Sequence, residues 1–117
     1  MRVAVLNITG SGISGGYKRY LNNILPLLAA DPRIEELLVA YPRTLRMDEW
    51  GLPHNKFRLV ECKPYRFLRH RPDAGLEKEL VVFKPDVIFI PISRYIRFGA
   101  VPIVTMIQNM APLVPGA

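Results

Sequence analysis

The sequence predicts an α/β domain on a parallel sheet. Short, almost continuously apolar runs rich in branched side chains recur along the chain, as expected of strands covered on both faces. Segments with helical spacing stand between several of them. A glycine-rich stretch, Thr9-Gly10-Ser11-Gly12-Ile13-Ser14-Gly15-Gly16, joins the first run to the first helix.

Residues 3–8, Val-Ala-Val-Leu-Asn-Ile, form the first strand. From Tyr17 the apolar positions Tyr17, Tyr20, Leu21, Ile24, Leu25, Leu27 and Leu28 make one buried helical stripe that ends near Asp31-Pro32. Pro26 lies inside this helix, where it removes a backbone bond to residue 22 and is expected to kink the axis. Leu37 to Tyr41 is the second strand, closed by Pro42, and Phe57 to Cys62 the third. The turn-rich segment from Arg43 to Asn55 between them has no clear period. Asp73 is a candidate N-cap for a helix with Leu76, Leu80 and Phe83 on one face, stopping at Lys84-Pro85. Asp86 to Ile90 is the fourth strand and Val101 to Ile107 the fifth. Strands alternating with helical segments imply right-handed βαβ units, hence a Rossmann-like domain over residues 1–117. Its ligand edge is the carboxyl end of the strands: the glycine loop, Tyr41-Pro42, Pro91-Ile92-Ser93-Arg94 and Gln108-Asn109.

Composition narrows the chemistry. The chain is 50% hydrophobic and 22% charged, which suits one globular domain with a modest core. No apolar stretch reaches membrane-spanning length and Met1-Arg2 leads directly into a strand, so a cytoplasmic location is expected. The single cysteine, Cys62, and the distant His54 and His70 offer no metal-ligand spacing, and Cys62 reads as a core or strand residue. The formal net charge of +6 points to an anionic partner. Basic residues gather in Lys63-Pro64-Tyr65-Arg66-Phe67-Leu68-Arg69-His70-Arg71 and again at Arg94 and Arg97. The simplest reading of that first cluster is a solvated loop.

A glycine loop between strand and helix presents backbone N–H groups and the positive helix end to an anionic or polyhydroxyl ligand. Gly10, Gly12 and Gly15 also satisfy G-x-G-x-x-G. A dinucleotide site, however, wants an acid at the carboxyl end of the second strand, whereas Glu35 and Glu36 precede that strand and its end is Tyr41-Pro42. No P-loop lysine and no G-x-S-x-G elbow is present, and nucleic-acid binding has the charge without a reading module.

Several segments together carry a family resemblance. They are Met1 to Ile8, the loop ending in Gly15-Gly16, the helix through Leu27-Leu28, Lys84-Pro85-Asp86-Val87-Ile88-Phe89, and Val101-Pro102-Ile103-Val104-Thr105-Met106-Ile107. In order and spacing the chain resembles the N-terminal domain of GT-B glycosyltransferases, specifically the retaining group 1 or family 4 enzymes. The resemblance implies two Rossmann-like domains facing across a cleft, with transfer of a sugar from a nucleotide-sugar to a glycan or lipid-linked acceptor, with retention and without a further cofactor. It places Gly15, Gly16, Gln108 and Asn109 in the substrate cleft; Tyr17 and Lys18 beside the glycines, and Ser93 and Arg94 at the same carboxyl edge, are further candidate substrate contacts. The polar pair after the fifth strand, often His-Asp in the family, is here Gln108-Asn109, which can orient a sugar by hydrogen bonds but not exchange protons. No catalytic residue is assigned to this chain. The paired glutamates of the donor-binding domain are absent from it, so the chain reads as the front piece of a longer protein and by itself inactive.

Some members of that family act on membrane-bound or lipid-linked acceptors. Arg66, Phe67, Arg69 and Arg71 are therefore expected to contact anionic headgroups, a peripheral location on the inner face of the membrane. A non-enzymatic Rossmann-like binding module is the competing class.

Overall fold

The computed structural model describes residues 1–8, 15–42, 56–63, 72, 74–91 and 96–105, with the side chains of the helix that begins at residue 15 described from residue 19 onward. The elements are β1 (Arg2–Leu6), α1 (Gly15–Ala30), β2 (Glu36–Pro42), β3 (Phe57–Cys62), α2 (Ala74–Phe83), β4 (Val87–Ile90) and β5 (Ile103–Thr105). They form one five-stranded, all-parallel sheet in the order β3-β2-β1-β4-β5. The domain is Rossmann-like, as its alternating pattern predicts.

Branched and aliphatic side chains alternate across this sheet into two cores. Val3, Val5, Leu37 and Val39 point to one face, where Leu21 and Leu25 of α1 cover them. Ala4, Leu6, Leu38, Ala40, Ile88 and Ile90 point to the other, beneath Leu76, Leu80 and Phe83 of α2 and Ile96 from the β4–β5 connection. Doubly covered strands explain why β1 and β2 read as continuous apolar runs. The β1–β2 crossover steps one way across the α1 face and the β3–β4 crossover the other way across the α2 face. Both therefore share one hand, as parallel crossovers require. Cys62 is buried at the end of β3, the core position its apolar surroundings indicate.

The boundaries differ from the sequence pattern in physically intelligible ways. Gly15 and Gly16 are the first residues of α1 rather than a loop before it. A first helical turn carries no packing stripe, and glycine's low helix propensity hides it. Pro26 lies within α1 on the exposed side, next to buried Leu25. There the proline displaces a solvent-side bond, and the helix continues to Ala30. Strand β5 begins at Ile103 rather than Val101 and is described to Thr105, the expected Met106 and Ile107 lying outside the described residues; Val104, on the α1 face, is 50% exposed. The α1 face is thus well covered over β1 and β2 and thinly covered at the β5 edge.

Polar contacts fasten the amino edge of the sheet. The Arg2 N–H donates to Asp86 Oδ2 at 2.7 Å, while the Asp86 N–H donates to the Arg2 carbonyl at 2.7 Å. The Arg2 guanidinium reaches Glu36 at 3.1 Å and lies 4.9 Å from the centre of the Phe83 ring, a cation–π contact that joins β1, β2 and α2. After α1 the chain turns on Asp31, whose carboxylate accepts from the Arg33 N–H at 2.9 Å and from its guanidinium at 2.7 Å.

Candidate functional site

Strand order decides where a ligand can bind. From β1 the chain passes over the α1 face to β2, and from β4 it departs across the opposite face toward β5. The two connections diverge, and in open parallel sheets the place for a ligand is where they do so, here the carboxyl ends of β1 and β4. Leu6, Asn7 and Ile8 stand at the end of β1 and Ile90-Pro91 at the end of β4, all of them buried.

Helix α1 runs back across the sheet after β1, so its first turn, Gly15-Gly16-Tyr17-Lys18, lies at this same carboxyl edge. The first amides of a helix have no partner within it, and the aligned peptide dipoles place partial positive charge there. That turn contains no acid, and Lys18 is followed by Arg19, which is exposed. With no acid in that turn, the positive end of the helix dipole is not neutralised from within it. Two adjacent glycines keep side chains off the first two positions. An anion or a cluster of hydroxyls fits such a turn.

Asn7 was not singled out as a site residue in the sequence pattern, and the fold gives it prominence. It is fully buried, the one buried polar side chain among the described residues, and it lies at the carboxyl end of the central strand. Its N–H donates to the Ala40 carbonyl at 2.8 Å, extending the β1–β2 ladder one residue past the strand. The legible signal was a lone amide in an otherwise apolar run.

Among the described residues no acid stands at the carboxyl end of β2. Glu36 is the first residue of β2, at the opposite edge of the sheet, and it pairs with Arg2 there. Glu35 faces the N-terminal ammonium at 3.4 Å. The carboxyl end of β2 is Tyr41-Pro42, both buried. Ser93, Arg94, Gln108 and Asn109 lie outside the described residues, as do Arg66, Phe67, Arg69 and Arg71. Among the described residues no group of three His, Cys, Asp or Glu side chains could hold a metal ion. Among them, too, no helix is long and apolar enough to cross a membrane.

Comparison with protein-family models, with curated proteins and with solved structures finds no match.

Proposed function

We propose that this chain is the acceptor-side half of a retaining glycosyltransferase of GT-B architecture, and that the first turn of α1 meets the substrate in the cleft. The observation that carries this reading is the acid-free, glycine-opened N-terminus of α1, with Lys18 and Arg19 beside it, at the carboxyl edge next to the divergence of β1 and β4. In a sugar transfer the developing sugar cation and the departing diphosphate both need fixed electrostatic partners. Helix amides and two cations suit the diphosphate or a polyhydroxyl acceptor. Gln108 and Asn109 would orient the sugar through amide hydrogen bonds, and Ser93 and Arg94 would line the same edge. Arg66, Phe67, Arg69 and Arg71 would bring a lipid-linked acceptor's headgroup surface close. The chemistry requires a second, donor-binding domain across the cleft.

The α1 reading is tested by nitrogen-edited NMR on this chain. Titration with a nucleoside diphosphate and with oligosaccharides is expected to shift the amides of Gly15, Gly16 and Tyr17 and to leave those of Glu36 and Arg2 unmoved. Shifts confined to the amino edge, or none for either ligand class, would sink it.

A binding module without enzymatic activity is the second reading, favoured by the anion-suited helix end in a chain that carries no assigned catalytic group. It predicts saturable carbohydrate or phosphate binding with no sugar transfer by the complete gene product.

A further inference from the structure

We propose that the cavity between α2 and the β4–β5 connection binds a small zwitterion, a free α-amino acid with an apolar side chain. The cavity measures about 370 Å³, and among the described residues Pro72, Glu77, Arg97, Phe98 and Gly99 line it. That volume falls at the lower end of the roughly 300–1,000 Å³ that small-molecule sites occupy. It lies on the sheet face opposite α1, because α2, Ile96 and Phe98 all pack into the same core.

The two charged side chains at this cavity have opposite signs and come from different elements, Glu77 from α2 and Arg97 from the connection. Among the described residues neither has a hydrogen-bond or ion-pair partner, and they do not pair with each other. Glu79, two residues along α2, is by contrast held by Arg58 at 2.6 Å. The backbone beneath each charge is fixed by a neighbour: Leu76 beside Glu77 and Ile96 beside Arg97 are both buried in the core. Packing of two separate elements thus brings a carboxylate and a guanidinium to one cavity.

Charge selects the ligand. A simple anion meets Glu77 and a simple cation meets Arg97, each a like-charge contact that opposes binding. A zwitterion satisfies both, its carboxylate on the planar fork of the guanidinium and its ammonium on the Glu77 carboxylate. Phe98, half-buried, and Pro72, buried, supply an apolar wall for its side chain. Gly99 keeps the turn after Phe98 free of a side chain, with nothing within 4 Å of where a Cβ would stand. The proposal stands on this cavity alone and does not rest on the sugar-transfer reading.

Nitrogen-edited NMR titration of the chain with phenylalanine and with leucine tests it. Saturable shifts are expected at the amides of Glu77, Arg97, Phe98 and Gly99, and none at Gly15 and Gly16. Phenethylamine lacks the carboxylate and hydrocinnamate lacks the ammonium, so each is expected to bind at least about tenfold more weakly than phenylalanine. Glu77→Gln and Arg97→Gln lie at exposed positions, so folding is preserved, and each is expected to weaken phenylalanine binding about tenfold. No saturable shift with either amino acid, equal binding of either single-charge analogue, or either variant binding as the wild type does would overturn the proposal. So would stability losses of the two variants that fail to add in the double variant, because the charges would then close on each other in solution.

Discussion

Arg2 and Asp86 are bound to each other twice: the Arg2 N–H donates to the Asp86 carboxylate, and the Asp86 N–H to the Arg2 carbonyl, each at 2.7 Å. The pair aligns the starts of β1 and β4, the two strands whose diverging connections create the candidate site at their far ends. Removing the acceptor with Asp86→Ala is expected to lower stability by about 1 kcal/mol, a modest figure because the residue is exposed. Asp86→Asn retains an acceptor and loses less. Urea denaturation of both variants measures the difference, and equal losses would show that the carboxylate contributes nothing through this bond.

The segment before Asp86 carries a second, separable strain. Lys84 follows α2 with a φ of 55°, the left-handed conformation that usually ends a helix at glycine, and its N–H donates to the Leu80 carbonyl at 2.9 Å. Gly99 adopts a similar φ of 51° in the turn before β5. Lys84→Gly is expected to stabilise the domain by about 0.5–1 kcal/mol and Gly99→Ala to destabilise it by about 1 kcal/mol. Thermal melts of the two variants should shift in opposite directions.

Acid should weaken the fold through the turn after α1. Hydrogen bonds from the Arg33 side chain and backbone hold the Asp31 carboxyl down to about 2 from an ordinary 3.8. The folded state therefore favours the ionised form, so the contribution is complete above about pH 4. It is lost as pH falls from about 4 toward 2, because the unfolded chain takes up the proton first. Asp31→Asn should remove this part of the acid sensitivity. Melting temperatures across that range give the test, and a variant as acid-sensitive as the wild type would contradict it.

Much of this architecture is legible in the residues alone. The strand runs at β1 and β4 are apolar on both faces because both faces are covered, and the spacing of Leu76, Leu80 and Phe83 fixes α2 as Ala74–Phe83. The start of α1 was hidden because Gly15 and Gly16 read as loop by propensity. Asp86 belongs to a recognisable segment, yet its role needs a partner at Arg2 that only the sheet brings near. Asn7 likewise means little until β1 is known to be central. Of the residues expected in the cleft, Gly15 to Lys18 are placed at the carboxyl edge. Ser93, Arg94, Gln108 and Asn109, the other residues expected there, lie outside the described residues.

Helix α2 buries one face and exposes the other. Leu80 is fully buried in the core, so Leu80→Ala should cost about 2–5 kcal/mol, whereas Val81→Ala, one residue on and exposed, should cost under about 1 kcal/mol. Comparable losses in urea denaturation would mean that Val81 is covered in solution.

The most direct test of the central claim is a transfer assay on the product of the complete open reading frame, offered a panel of nucleotide-sugars with glycan and lipid-linked acceptors and read out by product NMR. Transfer from at least one donor is expected, with the donor's anomeric configuration kept in the product and the rate sharply reduced by Gly16→Val. A complete gene product that binds such ligands but transfers no sugar, or one whose product is inverted, would contradict it.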